Sequence, residues 1–377
     1  MSSWLPRVRR RPRAALGPVC DDLDAWVRSW PAAGRTPVAP PFTITRELPR
    51  TVEPKIDESF LSLRSVRVPE QALVSIPNAR LRSSQRGQHV TLFMLPDGQV
   101  IGETIALTPA GRRNMLQNQR AYRDPLPRRA ARQRGNFFAF LGFGVHHYYH
   151  WTHDLVMGAC DIAHLLPQDT QLIVPSPLRP FQAETLALLG LDHHPRVAFD
   201  AGAYWDVENL FVVTPRLKTQ IDNARPFQWF RDAAMQRYGL GEAPPTRRFY
   251  LSRRDDNHWR TTNEAEVETY LAGAGFETVL PGRMTFREQV ALFGEAEVIV
   301  GTGAGLFNMA FSPPGTKVLQ FQEPTHMVQA LWTQAAAMSF DYHYLLGEAV
   351  DNHEADDVDI FVPIEKLDAA VQSLHLR

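Results

Sequence analysis

Residues 296–311 read AEVIVGTGAGLFNMAF. Val298, Ile299 and Val300 are three β-branched residues in succession, the composition of a strand buried on both faces in a parallel sheet. Gly301, Gly303 and Gly305 follow and let the backbone turn sharply and approach a ligand without a Cβ in the way. A short helix from about Leu306 to Phe311, stopped by Pro313-Pro314, turns its free N–H groups and the positive end of its dipole toward an anion. The spacing is GxGxG rather than GxGxxG, so the dinucleotide fingerprint is not met. On these residues alone the stretch is a phosphate cradle or a tight strand-to-helix turn that holds nothing.

Working outward, Lys317 to Phe321 reads as the next strand and ends at Gln322 and Glu323. An acidic group there suits a ribose hydroxyl; the plainer alternative is an exposed loop carboxylate. Upstream, Thr285 to Gly294 is a helix with Thr285 and Glu288 in the spacing of a capping box. Glu277 to Leu280 is a strand, Glu264 to Ala274 a helix, and Arg248 to Ser252 a strand. Arg253 and Arg254 lie just past that strand, where open α/β sheets bind ligands, and Arg260 follows before the next helix. Guanidinium groups suit phosphate because they stay charged and bond in a fork, although a loop charge run also arises simply from facing solvent.

The strand–helix alternation continues toward the N-terminus. Pro226 to Tyr238 reads as a helix, Val207 to Val213 as a strand, Phe181 to Leu189 as a helix and Gln171 to Val174 as a strand. A helix is expected from about Tyr149 to Leu166, after the apolar run Phe137 to Gly144. Pro96-Asp97-Gly98 between two apolar runs predicts a hairpin; Leu61 to Val68 and Ala72 to Ile76 read as short strands. The chain divides into a Pro- and Arg-rich arm (1–50), an N-terminal Rossmann-like half (51–225), a C-terminal Rossmann-like half (226–345) and a tail (346–377) that is a candidate to pack back on the N-terminal half. The fold class is α/β.

The chain has 377 residues, enough for two cores. Apolar residues make up 44% and charged residues 21%, a globular composition. A formal net charge of −1 gives no general attraction to nucleic acid. The two cysteines, Cys20 and Cys160, are too few for a disulfide framework or a zinc ribbon. No apolar run reaches the roughly eighteen residues of a spanning helix, so a cytoplasmic location is expected. Arg7, Arg9, Arg10, Arg11 and Arg13 make the arm a candidate for peripheral contact with a membrane or protein, or a solvated tail.

A second cluster, His146 to Asp154 (HHYYHWTHD), carries its own chemistry. At helical spacing His147, His150 and Asp154 share a face. They could bind a metal, pack as hydrogen-bonded histidines, or serve as an acid/base group for a hydroxyl. No HExxH pattern is present, and no further metal ligand stands out.

Together, HYYHWTHD (147–154), YLSRRD with RTTNE (250–264), and FREQVALFGEAEVIVGTGAGLFNMAFSPPGTKVLQF (286–321) closely resemble the ordered motifs of glycosyltransferase family 61, over about 145 to 345. The resemblance implies a GT-B fold, two Rossmann-like domains facing across a cleft. It implies an inverting hexosyl- or pentosyltransferase acting from a nucleotide sugar such as a UDP-sugar, without a required metal or other cofactor. The acceptor implied is a saccharide or glycoconjugate, often in capsule or other surface polysaccharide synthesis. Transferred position by position, Arg253 and Arg260 grip the donor phosphates. Gly303, Gly305 and Asn308 form the cradle; Glu323, read from its place after the next strand and not from the resemblance, stays the ribose candidate. His150 and Asp154 face the acceptor as catalytic groups, with His147 and Trp151 on the acceptor side. Two positions depart from the family pattern: His147 replaces an asparagine, and Thr302 stands where a histidine precedes the glycine. The alternatives are a non-catalytic sugar- or nucleotide-binding relative, a nicotinamide-dependent enzyme using the glycine turn, and a metal-dependent hydrolase built on the histidines.

Overall fold

The computed structural model describes residues 18–84, 87–105, 129–142, 144–214, 224–255, 260–350 and 359–376. The expectation that rests on the arginines between 7 and 13 lies outside these residues. The architecture is mixed α/β, with helices covering two main sheets.

The second sheet positions most of the site. Its six strands are all parallel, in the order Glu277–Val279, Arg247–Leu251, Ala296–Gly301, Lys317–Gln322, Asp341–Leu346 and Arg50–Thr51. From the Arg247 strand the chain crosses through the helix Glu264–Gly273 to the Glu277 strand on one side. It then crosses through the helix Phe286–Gly294 to the Ala296 strand on the other side. The direction of winding therefore reverses about the Arg247 strand, and such a reversal opens a crevice at the carboxyl ends of the strands. The Ala296 strand is central and almost wholly buried, as its β-branched run requires. Thr285 and Glu288 form the expected capping box, satisfying the first donors of their helix.

The first sheet has nine strands and is mixed. Ala131–Ala139 runs parallel to Gln171–Pro175, which runs parallel to Arg196–Phe199. Tyr204–Thr214 is parallel to Ala131–Ala139 on one edge and antiparallel to Gln71–Ser84 on the other. The last strand is longer than the Ala72 to Ile76 expected: it passes through Pro77, with Asn78 in the left-handed region at φ 53°. Leu61 to Val68 divides into a helix, Glu58–Ser62, and a strand, Ser65–Val68.

The N-terminal segment is woven into both sheets. Helix Leu23–Ser29 buries Leu23, Trp26 and Val27 in the core of the first sheet, and Gly34–Ala39 pairs with Gln71–Ser84. Arg50–Thr51 instead adds the edge strand of the second sheet. The C-terminal helix Ile364–Ser373 packs through Leu367, Ala370 and Val371 on the second sheet, where a return to the N-terminal half was expected.

The two halves share one apolar core. Phe307, on the helix that follows the glycines, is fully buried against the rings of Tyr149, His153, Phe227 and Phe230. Among the described residues, no helix is long and apolar enough to cross a membrane.

Candidate active site

At the crevice the Arg247 strand ends in Leu251, paired in register with Gly301 of the Ala296 strand. Arg253 follows one and Gly303 the other, and the two residues meet. A Cβ added to Gly303 would lie 2.5 Å from Nη1 of Arg253, and Gly303 has φ +75°, so glycine is required there on both counts. The helix Ala304–Phe311 begins at once, as a 3₁₀ rather than an α-helix, and its first bond runs from the Leu306 N–H to the Gly303 carbonyl at 3.2 Å. The preceding N–H groups have no carbonyl one turn back within the helix, and Ala304 and Gly305, which carry two of them, line the larger cavity of the crevice.

Two cavities adjoin here, with Arg253 and Ala304 in the walls of both. The larger, about 670 Å³, is mixed, with apolar walls that include Phe181, Met284 and Phe286; its polar groups are Tyr148 and Glu184 from the first half, and Ser252, Asp255, Gln289, Thr302 and Asn308 from the second. The smaller, about 300 Å³, is bounded by His147, Tyr149 and His150 on one side and by Gly303, Gln320, Val328 and Leu331 on the other. Arg253 thus shares one cavity with His150 although 103 positions separate them in sequence.

The expected helix from Tyr149 is a π-helix over His150–Val156, continued by a 3₁₀ turn, Met157–Ala159. Such wide turns are rare and cluster at functional sites. Asp154, 8% exposed, takes a histidine on each oxygen: Nδ1 of His150 lies 3.0 Å from Oδ2, and Nδ1 of His153 lies 2.8 Å from Oδ1. His153 is buried and its ring stacks on Tyr149 at 4.9 Å. His150 is 31% exposed and faces the smaller cavity. An Nδ1–H donated to the carboxylate leaves Nε2 of His150 as the basic nitrogen. The carboxylate orients, and the imidazole is the group that can meet a substrate.

A buried chain of amides braces the larger cavity. The Tyr148 hydroxyl donates to Oδ1 of Asn308 at 2.5 Å, Asn308 Nδ2 donates to Oε1 of Gln289, and Gln289 Nε2 donates to the Pro281 and Met284 carbonyls. Burial pushes the Tyr148 phenol far above its ordinary range, so it stays a neutral donor. Asn308 therefore ties the first half to the second rather than standing free in the cradle.

Other residues singled out from the sequence sit elsewhere. Arg260 is clamped by the buried Asp359, with Nη2 at 2.7 Å and Nε at 3.1 Å from Oδ2, and lines neither cavity. Arg254 is held by Glu268 and by Ser252. Trp151 is fully buried and donates to Thr185 Oγ1 at 2.8 Å, which makes it a core residue and removes it from the acceptor side. Glu323 is 2% exposed, accepts from Thr325 at 2.7 Å and lines neither cavity, so the exposed-carboxylate alternative does not hold either. His147 lines the smaller cavity, its ring 5.4 Å from that of His150. Tyr148, His153, Gln289 and Gln320 were not singled out. All four lie within the quoted motifs, Gln320 legible there only as a polar residue in an apolar strand.

Among the described residues, no three His, Cys, Asp or Glu side chains are grouped to hold a metal ion. Comparison with protein families matches residues 148–319 to Glycosyltransferase 61. Comparison with curated proteins gave no match. The matched span contains Arg253, the glycine turn and the His150–Asp154 pair, and the family implies glycosyltransferase activity.

Proposed function

Residues 148–319 match the Glycosyltransferase 61 family, and from that premise we propose that the chain is an inverting glycosyltransferase using a nucleotide-sugar donor, a UDP-sugar in the first instance. The observation that carries the proposal is the meeting of Arg253, Gly303 and His150 around one cavity, with a larger cavity of mixed lining beyond Arg253. The reading places two halves across a cleft in the GT-B manner, the donor on the second sheet and a saccharide or glycoconjugate hydroxyl near His150.

In this scheme the donor diphosphate lies against Arg253 and the first N–H groups of the helix after Gly303. Both favour negative charge, and the charge grows there as the leaving group departs. The acceptor oxygen attacks C1 of the sugar from the side opposite the phosphate. The C1–O bond to the β-phosphate breaks, the nucleoside diphosphate keeps the electron pair, and the hydroxyl proton passes to Nε2 of His150. Asp154 holds the imidazole in the accepting tautomer and steadies its charge once protonated. Arg253 lines both cavities and in this scheme serves the phosphate, whereas Arg260 serves the contact with Asp359.

The test is single-turnover release of nucleoside diphosphate from a panel of UDP- and GDP-sugars, with the product anomer read by NMR. Inversion is expected. His150→Ala should abolish transfer, and Asp154→Asn should lower turnover strongly with little change in donor affinity. Retention of configuration, or full turnover by His150→Ala, would overturn the scheme.

A further inference from the structure

The crevice contains a hydroxyl that the fold does not use. Leu251 and Gly301 are paired across the two central strands, and the next residue on each strand carries a hydroxyl, Ser252 and Thr302. Both are 2% exposed and both line the larger cavity. Ser252 Oγ is occupied, accepting from the Arg254 backbone N–H at 3.3 Å and from its Nε at 3.2 Å. Thr302 Oγ1 is buried and has no hydrogen-bond partner among the described residues. Buried hydroxyls are almost always paired, because an unpaired one forfeits its bonds to water and gains none in return. Valine has the same shape without that cost.

The surroundings of Thr302 indicate what would complete it. Arg253 lines the same cavity and touches Gly303, the next residue. The helix begins at Ala304, and Ala304 and Gly305, which carry two of its first N–H groups, line that cavity too. Guanidinium, backbone N–H and hydroxyl are all donors on the wall of one cavity, so the ligand chemistry that suits them together is an acceptor oxygen bearing negative charge.

We propose that Thr302 is a binding residue of the donor site, its hydroxyl donating to an oxygen of the nucleoside-diphosphate end of the donor beside Arg253. This rests on the donor-site reading above. The test is calorimetric titration of UDP and GDP into wild type, Thr302→Val, Thr302→Ser and Thr302→Ala, with melting temperatures measured on the same samples. Thr302→Ser should bind within about twofold of wild type, and Thr302→Val and Thr302→Ala about tenfold more weakly, the scale of one lost bond to a charged group. Thr302→Val should melt no lower than wild type. If wild type binds the nucleotides and both Thr302→Val and Thr302→Ala bind equally well, the hydroxyl plays no part and the proposal falls while the donor site stands. If wild type binds neither nucleotide, the donor-site reading falls and takes the proposal with it. Thr302→Ala keeps the question answerable should Thr302→Val fail to fold.

Discussion

At the scale of single residues, Gly303 is the most constrained position of the site. Any side chain there must adopt φ near +75° and displace Arg253, whose Nη1 would be 2.5 Å from the new Cβ. With ψ at −170°, Gly303 sits in an extended positive-φ region used essentially by glycine alone, and holding another residue there costs about 1–3 kcal/mol. Gly303→Ala should therefore lower the melting temperature and weaken UDP binding together. Gly305 is the contrast: a Cβ there would meet only Pro281 Cγ, at an ordinary 3.7 Å. Gly305→Ala should melt close to wild type; equal melting of both variants would contradict the account of Gly303. Much of this site was legible from residue types: the glycine turn, Arg253, His150 and Asp154. What was not legible was which arginine is committed elsewhere. Arg260 looks equivalent to Arg253 in the sequence, and only Asp359, 99 positions away, shows that it is engaged.

At the scale of elements, the strand–helix alternation from 247 to 322 was readable almost to the residue, because local signals set each boundary: Thr285 and Glu288 at a helix start, glycine at strand and helix ends. Nothing local distinguished the π-helix at 150–156 from an α-helix, since the two differ in hydrogen-bond pitch and not in residue type. The strand through Pro77 was hidden for a related reason. Proline argues against a strand interior, and its tolerance here depends on partners supplied by 204–214. The join between the Asp341 strand and the C-terminal helix makes a pH prediction. Burial holds the His343 imidazole below its ordinary 6.5, with Asp341 pulling the other way, and its ring lies 3.4 Å from Ser373 on that helix. A depressed value means that the unfolded chain binds more protons below about 6.5 than the folded chain does. Stability should thus be complete above that pH and decline as the pH falls through it. In melting temperatures taken from pH 7.5 to 5, His343→Gln should decline less steeply than wild type; parallel curves would show that His343 does not contribute.

At the scale of the whole molecule, the halves are joined by a common core and by polar struts. Phe307 brings the cradle helix into a nest of rings from the first half, and Tyr148 reaches across to Asn308. The sequence suggested two separate Rossmann-like halves because alternation within each half is visible, while contacts between them depend on residues far apart in the chain. One consequence is that damage on one side should be felt on the other. Phe307→Ala should destabilise by about 3–5 kcal/mol, with the whole chain melting in one earlier transition by calorimetry. A split into two transitions, one unmoved, would contradict the shared core.

The same arrangement gives the central claim its sharpest test, since two neighbouring arginines are assigned opposite roles. Calorimetric titration of UDP into wild type, Arg253→Ala and Arg260→Ala should show Arg253→Ala weakened by about 1.5–3 kcal/mol, the worth of a charge-assisted bond, and Arg260→Ala near wild type in affinity. Unchanged affinity in Arg253→Ala, or a larger loss in Arg260→Ala, would contradict the assignment of the donor site to the crevice between Arg253 and Gly303.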